Sequence, residues 1–150
     1  MTSSDPFHLA RRWWRAVRAR PLTEGERDAV SAVLTPAEAE LFFRFAAHDQ
    51  RHALDVLARL DARHGDAPRE VRSAALLHDI GKLESDLSIS RRVAASILGT
   101  RWARYARYHA HEEIGAELLR SRGSDPLTVS LVAGTASGRW ATVLREADRI

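Results

Sequence analysis

The chain predicts an all-α fold in a single domain, and three observations predict it. Apolar residues recur at the three-to-four-residue spacing of an amphipathic helix along nearly all of the 150 residues. No stretch holds the apolar–polar alternation of a half-buried strand. Helix-boundary residues punctuate the pattern, among them Thr35-Pro36, Gly65, Gly99, Gly123 and Ser124-Asp125-Pro126. With 45% hydrophobic and 29% charged residues, a chain of this length can bury one core.

Taken in order, residues 8–20 predict a basic amphipathic helix carrying Leu9, Trp13, Trp14 and Val17, closed by Pro21. A second helix runs from about Glu24 to Leu34. Thr35-Pro36-Ala37-Glu38 reads as a capping box with proline at the first helical position, opening a helix that carries Leu41, Phe42 and Phe45. Residues 49–63 form the next helix, Gly65 to Pro68 a loop, and 69–80 a helix that ends in His78-Asp79. Gly81 closes it with positive φ, and Leu83 to Leu87 is irregular. Ser88 or Ser90 caps a helix through Leu98. Short helices follow at 101–109 and 112–121, the latter ended by Gly123. Another starts at Ser124-Asp125-Pro126, and Gly134 to Gly138 separates it from a last helix at 139–149. The domain expectation is one unit over 1–150, with 1–47 a helical extension packed on a core of 48–150.

Composition excludes several classes. The chain has no cysteine, so it has no disulfide framework and no thiolate ligand; any metal is held by nitrogen and oxygen. No apolar run approaches the ~20 residues of a membrane span, so no membrane partner is expected. The N-terminus, MTSSDPFHLARRWW, lacks the apolar core of a signal peptide, and a cytoplasmic protein is expected. The formal net charge is only +3, which does not call for a nucleic-acid partner. RWARYARY at 101–108 interleaves arginines with aromatics, a pattern that fits core packing with solvated guanidiniums better than base stacking.

The informative polar residues lie on apolar faces. Val71, Ala74 and Ala75 define a stripe that His78 continues at i+7. Ile114 and Leu118 define the inner face of 112–121, with His111 at its head. Ala141 and Leu144 set the inner face of the last helix, and Asp148 follows Ala141 by seven. His52 shares a line with Phe45 and Val56. Asp79 lies about 100° around from His78. A buried, unpaired ion is costly, so His52, His78, Asp79, His111 and Asp148 must compensate one another or share a cation. The mixed nitrogen–oxygen set suits manganese, iron, cobalt, nickel or zinc better than calcium; magnesium completes the candidate ions. Lys82, three residues past Asp79, is the one lysine among 23 Lys and Arg residues. Its compact charge suits a metal–phosphate site.

His52, His78-Asp79 and Asp148, in that order and on helices, resemble the HD superfamily of metal-dependent phosphohydrolases. AALLHDIGK at 74–82 looks like the HDIG subset, and HEEIGAELLR at 111–120 resembles the further histidine-bearing helix of that subset. TPAEAELF and DQRHALDV are similar to segments of small bacterial HD-domain proteins. The resemblance implies a helical bundle of the HD-domain type. It also implies a metal held by His52, His78, Asp79 and Asp148, with His111 an additional ligand or a phosphate contact. No histidine follows His111, and residues 131–138 read LVAGTASG, so a single ion is favoured over a binuclear centre. The glycine-tyrosine-proline signature of cyclic-di-GMP phosphodiesterases is absent.

On this resemblance the expected activity is hydrolysis of a phosphorylated small molecule, a nucleotide in the first instance, by a metal-activated water. Asp79 would bind metal and orient the water, and Lys82 would contact a phosphate. Two rival expectations are a non-catalytic HD-type module for nucleotide sensing or protein interaction, and an RNA-binding helical module. Self-association is compatible with either enzyme or sensor.

Overall fold

The computed structural model describes residues 20–84 and 111–149 in full, and the backbone of 85 and 100–110. The helix expected at 8–20, save Arg20, and the one expected from Ser88 or Ser90 to Leu98 lie outside the described residues, as do the side chains of RWARYARY. Within the described residues every regular element is helical. These are α1 (Glu24–Val33), α2 (Pro36–Phe42), α3 (Ala47–Arg63), α4 (Arg69–Leu77), α5 (Lys82–Ser85), α6 (Thr100–Ser121), α7 (Pro126–Val132) and α8 (Arg139–Asp148). The all-α expectation is met.

Local chemistry sets the helix starts. Thr35 and Glu38 form the expected capping box: the Thr35 hydroxyl accepts from the Glu38 N–H, and the Glu38 carboxylate accepts from the Thr35 N–H at 2.9 Å. Thr23 and Glu26 make a second box at α1. Asp125 caps α7 by accepting from the Leu127 N–H at 2.8 Å, with Pro126 in the first turn.

Helix α4 is the central element, packed against α1, α2, α3, α7 and α8. Its Val71 and Ala74 through Leu77 are fully buried. Two buried hydroxyls at this junction donate to carbonyls, Ser73 to Val33 at 3.4 Å and Thr128 to Glu70 at 3.0 Å, so neither is buried unsatisfied. Phe42 anchors the α2 side, edge-on to Phe43 and Phe45 at 5.4 and 5.8 Å between ring centres. The described part of 1–47 therefore packs on α4 through α1 and α2.

Several expectations need correction. The helices expected at 101–109 and 112–121 are one helix, α6. Between Thr100 and Ser121 there is no proline and the one glycine is Gly115, so nothing interrupts the backbone hydrogen bonds. The inner face of α6 is centred on Gly115, Ala116 and Leu119, which are buried, while Ile114 and Leu118 are partly exposed. Helix α2 stops at Phe42, and Phe45 is buried beyond its end. Helix α4 stops at Leu77, so the His-Asp pair lies in the turn that follows. Residues 82–85 form a short helix rather than irregular chain.

Gly81 departs from expectation in an instructive way. Its φ is not positive; Gly123, Gly134 and Gly138 are the described glycines with that conformation. What Gly81 supplies is space. A Cβ there would lie 1.9 Å from the His111 carbonyl oxygen, and one on Gly115 would lie 3.0 Å from the Gly81 nitrogen. Backbone meets backbone between the turn after α4 and helix α6.

Candidate metal centre

His78 caps the C-terminus of α4 with helical dihedrals (φ −57°, ψ −31°). Its Nδ1 lies 2.8 Å from the Ala75 carbonyl oxygen. A carbonyl only accepts, so Nδ1 carries a proton, and in the neutral ring Nε2 presents a lone pair. His52 comes from α3, its ring edge-on to His78 with centres 5.3 Å apart. Asp148 is the last residue of α8. Its Oδ1 lies 3.1 Å from His52 Nε2 and 3.2 Å from His78 Nε2. One ligand atom from each of the three lies within 4.8 Å of the others. The His78 side chain is 13% exposed and forms the floor; His52 and Asp148, at 40% and 37%, form the rim.

The His78–Asp148 approach is close but not aligned as a hydrogen bond. Nε2 of His78 is buried with no hydrogen-bond partner. In the neutral ring a nitrogen lone pair therefore faces a carboxylate oxygen across 3.2 Å. Only positive charge between them relieves that repulsion, either a proton on the imidazole or a cation. The shifts express the same demand. His52 and then His78 hold the Asp148 carboxyl far below the usual carboxylate range, against the opposing effect of its partial burial. Burial pushes His78 down, but Asp148 and Asp79 together with the Ala75 bond outweigh it, and the ring is raised above its ordinary value. Two imidazole nitrogens and one anionic oxygen are a donor set suited to a divalent transition ion. The residues present thus fit such an ion.

The other predicted site residues divide. Asp79 Oδ2 lies 3.7 Å from His78 Nε2 but 2.5 Å from Lys82 Nζ, and Asp79 falls outside the three-residue group. Its carboxylate pairs instead with the lysine three residues on. His111 also falls outside the group. Its carbonyl packs on Gly81, and its Nδ1 is buried without a hydrogen-bond partner. Lys82 lies between Asp79 and Asp49, whose Oδ1 is 3.9 Å from Nζ.

Asp49 escaped the sequence reading, although it precedes His52 by three residues and so shares its helix face. It also faces His48, with Nε2 3.3 Å from Asp49 Oδ2. Periodicity could have found it; its pairing with Lys82 depends on how α3 meets the turn after α4.

Comparison with protein families matches residues 50–150 to the HD domain. The chain belongs to the HD domain family. The match contains the His52, His78 and Asp148 group, with the His78-Asp79 pair inside it. HD domains are metal-dependent phosphohydrolases as a family, and this HD domain has a group that could hold a metal ion. Neither a curated protein nor a solved structure matches the chain. No helix among the described residues of this HD domain is long and apolar enough to cross a membrane.

Proposed function

We propose that this HD domain hydrolyses a small phosphate ester, a nucleotide in the first instance, at one divalent cation held by His52, His78 and Asp148. The observation that carries this reading is the convergence of two imidazole Nε2 atoms on a single Asp148 oxygen, at 3.1 and 3.2 Å. When bound, the cation supplies a more acidic water and neutralises charge on the phosphoryl oxygens.

The chain's own groups divide the remaining work. Ala75 fixes the His78 ring so that Nε2 faces the centre. Asp79, at the edge of the group, accepts a proton from the attacking water and holds its orientation. Lys82 brings an ammonium to a substrate phosphate. His111, with a buried nitrogen next to the Gly81 turn, serves as a further polar contact. Manganese, iron, cobalt, nickel, zinc and magnesium are the ions to test.

Metal analysis of the purified protein, joined to a phosphate-ester and nucleotide panel, tests the reading. Stoichiometric metal and turnover in wild type, both lost in His78→Ala, are expected. Undiminished metal in His78→Ala rejects the assignment. One observation favours a non-catalytic nucleotide-sensing module instead: Asp79 is engaged by Lys82 at 2.5 Å. That reading expects nucleotide binding by chelator-treated protein and no turnover with any of the ions.

A further inference from the structure

We infer that Arg59 is a positioning residue for Asp148. Arg59 follows His52 by seven residues on α3, two turns along the same face. Its Nε donates to the Ala147 carbonyl oxygen at 2.7 Å. Ala147 immediately precedes Asp148 in the last turn of α8, where carbonyls lack a partner within the helix and the helix end carries partial negative charge. One helix thus supplies the His52 imidazole and also grips the backbone that carries the Asp148 carboxylate.

Two further observations set this contact apart from an ordinary surface bond. The Arg59 side chain is only partly exposed, with a buried Nη2 that has no hydrogen-bond partner. No ion pair involves it among the described residues. A guanidinium in that setting with no carboxylate is unfavourable unless something else compensates it. The C-terminal end of α8 is what it meets. Aspartate has a short side chain, so movement of the last turn of α8 carries the carboxylate with it. The 3.1 Å approach of Asp148 to His52 is therefore governed from α3 at two points, the ligand and the guanidinium.

The inference rests on the metal reading for its functional meaning, and the test separates the two. Arg59→Met keeps the apolar stem and removes the donor. In chelator-treated protein with wild-type circular dichroism, Arg59→Met is expected to shift the imidazole nitrogen NMR signals of both His52 and His78. In manganese or zinc titrations it is expected to weaken affinity about 10- to 100-fold, the usual effect of losing an outer-shell partner, with Arg59→Lys recovering part. Unchanged imidazole signals overturn the positioning role. If Arg59→Met shifts those signals while the wild type takes up no metal, the positioning role stands and the metal reading falls. If Arg59→Met does not fold, Arg59→Gln is read by the same two measurements.

Discussion

The two nitrogens of His78 face opposite demands. Nδ1 is committed to the Ala75 carbonyl, which leaves Nε2 against an anionic oxygen 3.2 Å away. In the metal-free protein the two groups give stability opposite pH dependences. Asp148 is depressed, so its contribution to stability is present above its ordinary value of 3.8 and lost as pH falls. His78 is raised, so its contribution is present below 6.5 and lost as pH climbs through the folded value. Chelator-treated protein should therefore lose thermal stability from pH 6 to 8, and His78→Gln should flatten that slope. Metal affinity should rise over the same interval, because the ion displaces the imidazole proton. Equal affinities at pH 6 and 8 would contradict this. Gly81 and Gly123 make a second residue-scale contrast. Gly81→Ala drives a carbon into the His111 carbonyl and should cost about 3 kcal/mol in urea unfolding. Gly123→Ala meets open space but keeps φ +74°, and should cost about 1 kcal/mol.

At the scale of elements, helix starts follow from a few side-chain bonds and helix faces do not. Thr35→Ala should lower stability by about 1 kcal/mol, read as a fall in the urea midpoint with unchanged slope, because one orphan N–H of α2 loses its acceptor. That box was legible in the sequence, as were the α7 start at Asp125-Pro126 and the buried stripe of Val71, Ala74 and Ala75. The inner face of α6 was not. Alternating Ala, Ile, Leu and Glu at 112–121 is compatible with more than one inward direction, and the Gly81–Gly115 contact chooses among them. The same contact explains why Gly81 is glycine, which its place after a helix suggested for a different reason. A glycine after a helix signals a left-handed cap or a close approach, and sequence alone does not distinguish them.

For the whole molecule, metal and fold should be linked. A cation that binds only the folded chain adds about 2.7 kcal/mol at one hundred times its Kd. Addition of a bound ion should raise Tm in wild type and leave Tm in His52→Ala nearly unchanged; a similar rise in both would place the ion elsewhere. Helical periodicity and cap residues were enough to read an all-α chain, because those signals act within one or two turns; the HD type was read from the resemblance carried by His52, His78-Asp79 and Asp148 in that order. Which of those residues meet was decided by tertiary structure alone. His52 and Asp148 are 96 positions apart, and their contact exists because α8 lies across α3. Lys82 lies near Asp49 because α3 packs against α4 and the turn that follows it, which periodicity does not encode. Sequence determined the residue types available to a cation; the crossing of helices determined which of their atoms stand within reach of one another, since distances between elements depend on packing that no local pattern encodes.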